Sequence, residues 1–253
     1  MALTPDLSQH AIFITGAGRG LGRSMALKLA RCGAAIGVVD IDAAACAAVA
    51  AEITAAGGRA TALPADVSSR AALMAAAAQF AAQHGRIDAV INNAMLLRYE
   101  PLEAITEEVL DRMTGVGING SVWGAQALLA HYDPKRGATL INMASPVAGR
   151  GFPNTAAYSL VKGAIVTFTK VLAAELGPKG IRVNALSPGS VPTPGALGLN
   201  DPAEYERRSR TIPMRRLGHE DDNAEACAFL LSPEASFING EILNVDGGIS
   251  AAG

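Results

Sequence analysis

The sequence predicts an α/β fold built on one doubly wound parallel sheet, and three observations carry this. Short apolar runs alternate with longer helical patterns along the 253 residues. Most of the runs are continuous and not alternating, as in strands covered on both faces. A glycine-rich turn follows the first run and opens the first helical stretch.

Strands are expected at Ala11–Thr15, Ala35–Asp40, Ala60–Leu63, Ala89–Asn92, Thr139–Met143, Val183–Ser187 and Ile242–Val245. Helices are expected between them: Leu21–Cys32, Ala43–Ala56, Arg70–His84, Glu107–His131, Ala157–Leu176 and Asn223–Leu231. The second helix is almost all alanine, the best helix former, and Asp42 falls at its N-cap. The Ala157–Leu176 stretch is apolar on more than one face and carries small residues, which favours close packing beyond a single sheet contact. Ser190 to Leu217 has no clear element, is rich in Pro and Gly, and ends in a basic cluster, the pattern of a functional loop. No low-complexity linker divides the chain, so residues 1–253 are read as a single Rossmann-type domain.

Half of the residues are hydrophobic and only 4% aromatic, so the core is expected to consist of Ala, Val, Ile and Leu. A net charge of −2 gives no case for nucleic acid or an acidic membrane surface. Cys32, Cys46 and Cys227 lack CxxC spacing and are expected as buried reduced thiols. His10, His84, His131 and His219 show no ligand spacing, so no metal site is expected. No signal-type stretch or membrane-length apolar run occurs, and a cytoplasmic protein is the expectation.

The turn Thr15-Gly-Ala-Gly-Arg-Gly-Leu-Gly22 lets backbone N–H groups approach a pyrophosphate at a helix N-terminus. Asp40 ends the next strand, 18 residues past Gly22, where a carboxylate accepts hydrogen bonds from adenosine ribose hydroxyls and repels a 2′-phosphate. That favours NAD over NADP. Arg19 argues the other way, since an arginine in this loop can meet a 2′-phosphate.

Tyr158 and Lys162 stand four apart, on one face of a helix. A neighbouring ammonium lowers a phenol's pKa. Bringing tyrosine from about 10 toward 7 takes roughly 4 kcal/mol, so a second cation would help.

Together these motifs resemble the short-chain dehydrogenase/reductase family, from about Ala11 to Gly248. The glycine pattern matches at Gly16, Gly20 and Gly22, and Gly18, Arg19 and Leu21 lie in the same turn. Ile41 follows Asp40. Asp66-Val67 matches an adenine-contacting pair, and Asn92-Asn93-Ala94 matches an element beside the cofactor, with Met95 departing from its usual glycine. Pro188-Gly189-Ser-Val191-Pro-Thr193 resembles a nicotinamide-side motif, in which Val191 would bind the carboxamide through its backbone and Thr193 through its hydroxyl. The resemblance implies a catalytic set of Asn119, Ser145, Tyr158 and Lys162. Tyr158 would be the general acid/base. Lys162 would lower its pKa and hold the nicotinamide ribose, with the oxidised nicotinamide as the second cation. Ser145 would bind the substrate oxygen, and Asn119 would hold a water in a proton relay from Lys162.

By the same analogy the substrate pocket would be lined by Met95, Leu96, Leu97, Pro146, Val147, Phe152, Leu197 and Met214, largely apolar. A hydrophobic secondary alcohol or ketone, cyclic or aromatic, is the expected substrate. Arg207, Arg208, Arg210, Arg215 and Arg216 are expected to be solvated or paired with Glu204, Glu206, Glu220 and Asp221. The resemblance also implies a homotetramer. Two alternatives stand beside the NAD-dependent alcohol dehydrogenase: a reductase of 3-oxoacyl thioesters using NADPH, and a non-catalytic nucleotide-sensing or scaffold protein on the same fold.

Overall fold

The computed structural model describes residues 5–196 and 202–252. Seven strands form one parallel sheet: β1 Ala11–Thr15, β2 Ala35–Asp40, β3 Arg59–Pro64, β4 Ala89–Asn92, β5 Ala138–Met143, β6 Ile181–Pro188 and β7 Ile242–Val245. Their spatial order is β3-β2-β1-β4-β5-β6-β7. The order reverses between β1 and β4, and the carboxyl ends of the strands there are the usual ligand position in such sheets.

The helices are α1 Gly20–Arg31, α2 Ala43–Ala55, α3 Arg70–His84, α4 Glu107–Thr114, α5 Gly120–His131, α6 Ala156–Leu176, α7 Pro202–Thr211 and α8 Glu220–Leu231. Strand alternation sends Ile12 and Ile14 into the core beneath α1 and α8, and Phe13 into the core beneath α3, α5 and α6. Asp42 caps α2, accepting from the Ala44 and Ala45 amides at 3.0 and 3.1 Å. All three cysteines are free and buried. Among the described residues no helix is long and apolar enough to cross a membrane.

Two elements depart from the sequence expectation. The single helix expected over Glu107–His131 is two helices joined by a π segment, Gly115–Asn119, where the five-residue run GVGIN holds two glycines that loosen the helical ladder. The stretch expected to lack structure contains α7, which has no apolar stripe. Charge pairs along its length support it: Arg208 meets Glu204 at 2.6 Å, and Arg210 meets Glu206. Arg207 also meets Glu204. The expected pairing with Glu220 and Asp221 is replaced by other contacts. Arg216 takes Asp222 at 2.7 Å, and Asp221 accepts from Ser24 Oγ at 2.8 Å.

Candidate active site

The turns that follow β1 and β4 are laced together by the Thr15 and Asn93 side chains. Thr15 Oγ1 accepts from the Asn93 and Ala94 amides at 3.0 and 3.1 Å. Asn93 Nδ2 donates to the carbonyls of Thr15 and Gly16, both at 2.9 Å. Gly16 needs to be glycine twice over. Its φ is +64°, and a Cβ there would lie 2.8 Å from Ala94 Cα. Across the turn, Gly20 (φ +58°) faces Thr193, whose Cβ would stand 3.3 Å from an added Cβ. Gly18, Gly22, Leu21 and Arg19 complete this cradle, with Arg19 exposed and Gly22 buried.

Asp40, at the end of β2, is 9% exposed. Its Oδ2 accepts from the Gly18 amide at 3.0 Å and its Oδ1 from the Asp42 amide at 3.1 Å. The carboxylate is therefore aimed by the turn it serves, while Ile41 beside it stands exposed. Asp66 accepts from the Ser68 amide and hydroxyl through one oxygen, at 2.9 and 2.7 Å. Val67 is buried. On the far side, Gly189 N donates to Val245 O at 3.0 Å and Thr193 N to Val191 O at 2.9 Å, fixing the turn after Pro188. A glycine cradle with no room for side chains, a helix N-terminus behind it and a fixed carboxylate at the next strand end fit a dinucleotide.

The catalytic candidates stand on β5 and α6. Asn142, fully buried on β5, accepts from Asn92 Nδ2 at 2.9 Å and donates to Thr169 Oγ1 at 2.9 Å. This chain of side chains ties β4, β5 and α6 into one rigid unit. On that unit the Ser145 hydroxyl lies close enough to the Tyr158 hydroxyl to favour its ionised form. Lys162, 5% exposed, donates from Nζ to Met143 O at 2.6 Å and sits 5.6 Å from the Tyr158 ring centroid. Burial pushes the Tyr158 phenol well above its usual range, nearby Tyr99 adds to this, and the Ser145 hydroxyl opposes it. Burial alone pulls Lys162 down to about 8. In this arrangement burial outweighs every other influence on Tyr158, and the net direction is upward.

Ser145, Tyr158 and Lys162 are thus brought together; Asn119 is not. It is the last residue of the π segment and is exposed. The residue of this segment that faces α6 is Gly117, whose added Cβ would lie 2.4 Å from Val161 Cγ1. Two positions further along a helix lies about half a turn round, so Asn119 points the other way. The assignment of Asn119 to the catalytic set is corrected accordingly.

Of the expected substrate-lining residues, Met95 and Leu96 pack with Tyr158 in one apolar cluster. Leu97, Pro146 and Val147 are half-buried. Phe152 is partly exposed beneath the Arg150 guanidinium, 5.8 Å from its ring centroid. Met214 lines a cavity of about 600 Å³ with Gly189, Ser190, Arg216 and Asp246. Leu197 lies outside the described residues. Sequence reasoning did not single out Tyr99, whose ring meets Tyr158 edge-on at 5.8 Å between centroids. It also missed Gly117, for which the only signal was the Gly-Val-Gly run.

A family model described as enoyl-(acyl carrier protein) reductase, of the short-chain alcohol dehydrogenase type, matches residues 16–250. The chain is 38% identical over 248 residues to the 4-formylbenzenesulfonate dehydrogenase of Comamonas testosteroni, covering 96% of this chain and 98% of that one. It is similar to the structure of a 3-ketoacyl-(acyl-carrier-protein) reductase from Brucella melitensis complexed with NADH, at 38% identity and TM-score 0.88, covering 95% and 98% of the two chains. A Burkholderia cenocepacia short-chain dehydrogenase in complex with NADP is 31% identical with TM-score 0.90, over 98% of this chain and 100% of that one.

Proposed function

The chain belongs to the short-chain dehydrogenase/reductase family, and from that premise we propose that it transfers a hydride between NAD(H) and a hydrophobic secondary alcohol or its ketone. It is an oxidoreductase of alcohol and ketone substrates. The observation that carries the finer reading is Tyr158 and Lys162 on one face of α6, 5.6 Å from ring centre to Nζ, with Lys162 anchored to Met143 O at the end of β5 and the Ser145 hydroxyl close enough to act on the phenol.

When bound, the nicotinamide accepts or supplies the hydride. The protein's residues manage the oxygen and its proton. Tyr158, held protonated by burial, donates to the carbonyl oxygen during reduction and takes the proton back during alcohol oxidation. Ser145, whose hydroxyl acts on that phenol, steadies the same substrate oxygen as charge develops on it. Lys162 uses one of its three N–H donors on Met143 O, which leaves two for ribose hydroxyls. Asp40 supports NAD over NADP, because its fixed carboxylate would stand beside a 2′-phosphate. Met95, Leu96 and Tyr99 give the pocket an apolar, aromatic wall.

The thioester alternative would use the basic cluster, but Arg207, Arg208 and Arg210 already meet carboxylates of α7, and Arg216 meets Asp222 of α8. Assembly as a homotetramer in the cytoplasm is part of the same reading, and Leu160 and Val171, exposed on the outer face of α6, suit it. A panel of cyclic and aryl secondary alcohols, sugar alcohols and 3-oxoacyl thioesters, each with NAD(H) and NADP(H) and followed by nicotinamide absorbance, tests it. Turnover of the cyclic or aryl alcohols with NAD is expected. Activity confined to thioesters with NADPH would overturn it, and inactivity toward the whole panel would favour a nucleotide-sensing role.

A further inference from the structure

Helix α1 leaves the glycine turn without a cap of its own. Its N-cap residue, Arg19, makes no side-chain hydrogen bond to the helix, and its first turn holds no acidic residue. Unpaired N–H groups and the helix dipole make such an end a place for an anion. A carboxylate from a distant part of the chain already stands beside it. A Cβ on Gly20, the first residue of α1, would lie 3.3 Å from Thr193 Cβ and 3.9 Å from Glu220 Oε1. Glu220 opens α8, which packs along α1.

Glu220 differs from the two acids that follow it. Asp221 accepts from Ser24 Oγ, and Asp222 meets Arg216. Among the described residues the Glu220 carboxylate has no hydrogen-bond or ion-pair partner. It is half-buried, and burial holds its pKa above the ordinary glutamate value. Arg23 of α1 opposes that shift and Asp221 on its own helix adds to it. Arg23 is itself paired with Glu52 at 2.6 Å. Thr193, the neighbour from the turn after Pro188, is neutral, and His219 before Glu220 is exposed.

We propose that Glu220 sets the strength of dinucleotide binding: its carboxylate stands at the uncapped end of α1, where the pyrophosphate belongs, so the cofactor must turn it aside or bind against its charge. In the free protein the carboxylate and the helix end favour one another. A pyrophosphate brought to the same place meets a like charge, and binding is strongest when Glu220 is protonated or absent. The inference deepens the proposed function and rests on only one part of it, the glycine cradle as a dinucleotide site. The substrate and Tyr158 do not enter.

The test is calorimetric titration of the full chain with ADP-ribose, which carries the pyrophosphate without the nicotinamide charge, at several pH values. Glu220 gives up its proton above the ordinary 4.5, so wild-type affinity should fall several-fold as pH rises from about 5 to about 7.5. Glu220→Gln, close to it in shape, should bind on the order of tenfold more tightly at about pH 7.5 and lose most of the pH dependence. Glu234→Gln removes the same charge from the exposed turn after α8 and should bind as wild type does. Thermal melting identifies a variant that fails to fold, and the wild-type pH profile then carries the test alone. Equal affinities for wild type and Glu220→Gln would overturn the proposal, as would a flat wild-type profile or an equal gain in Glu234→Gln. Failure of all three proteins to bind ADP-ribose would instead remove the dinucleotide site, and this inference with it.

Discussion

Lys162 gives its ammonium to Met143: Nζ donates to that strand carbonyl at 2.6 Å and remains 5.6 Å from the centre of the Tyr158 ring. The lysine is anchored to β5, one turn from a phenol that burial keeps protonated. Two roles are thereby separated. Tyr158 stands ready as an acid, and Lys162 is held where a cofactor's hydroxyls can reach its remaining donors.

The anchored charge has a stability signature. Lys162 titrates near 8 folded, against the ordinary 10.5. Below pH 8 the folded chain carries a buried charge and bears its full cost. Between about 8 and 10.5 the unfolded chain binds the extra proton, so stability rises with pH across that window. The displacement corresponds to roughly 3 kcal/mol, offset by about 1–3 kcal/mol because a substitution leaves Met143 O unpaired. Lys162→Met should therefore match or exceed wild type at pH 7 by about 1 kcal/mol, and the wild type should gain on it as pH rises from 8 to 10. Urea unfolding at several pH values measures this; parallel curves would contradict it.

Asp40 is expected to set cofactor choice. Asp40→Ser keeps a small acceptor near the Gly18 amide and removes the charge. The preference for NAD over NADP should fall by roughly tenfold or more, equivalent to about 1.4 kcal/mol. Dissociation constants for both reduced cofactors by fluorescence test it, and an unchanged ratio would remove Asp40 from the argument.

Asn119 is expected to be dispensable. Exposed and turned from α6, it offers nothing to the reacting pair. Asn119→Ala should leave kcat within about twofold, the scale of an ordinary surface change of about 0.5 kcal/mol. A loss of a hundredfold in kcat would restore the asparagine to the catalytic set.

Asn142 should matter through rigidity and satisfaction. Its replacement by Ala leaves one N–H of Asn92 Nδ2 without an acceptor, the other keeping Ser121 O, and leaves the Thr169 hydroxyl with Ile165 O alone, beside a new cavity. The cost should be roughly 2–4 kcal/mol in unfolding free energy. A change under 1 kcal/mol by urea denaturation would mean that the chain of side chains is not holding β4, β5 and α6 together.

Most of the fold was readable because it rests on local patterns. Seven apolar runs became seven strands, with ends shifted by one or two residues at Arg59, Pro64, Ala138, Ile181 and Pro188. The glycine turn was readable for the same reason: only glycine tolerates the φ of +64° at Gly16. The helix α7 was hidden because charge pairs within it, and not an apolar stripe, hold it. The Asn119 assignment failed because one-dimensional spacing cannot say which side chain of a π segment faces its neighbour; Gly117, two residues earlier, does. The anchoring of Lys162 depends on where β5 ends in space relative to α6, which no local pattern encodes.

The central claim is that Tyr158 carries the proton while the cofactor site stands apart from it. The direct test is Tyr158→Phe, with turnover of the best alcohol in the panel and NADH binding measured on the same sample. The phenol's loss should lower kcat by roughly 10²–10⁴-fold and leave the NADH dissociation constant within a few-fold of wild type. A variant that keeps near-normal turnover would contradict the mechanism.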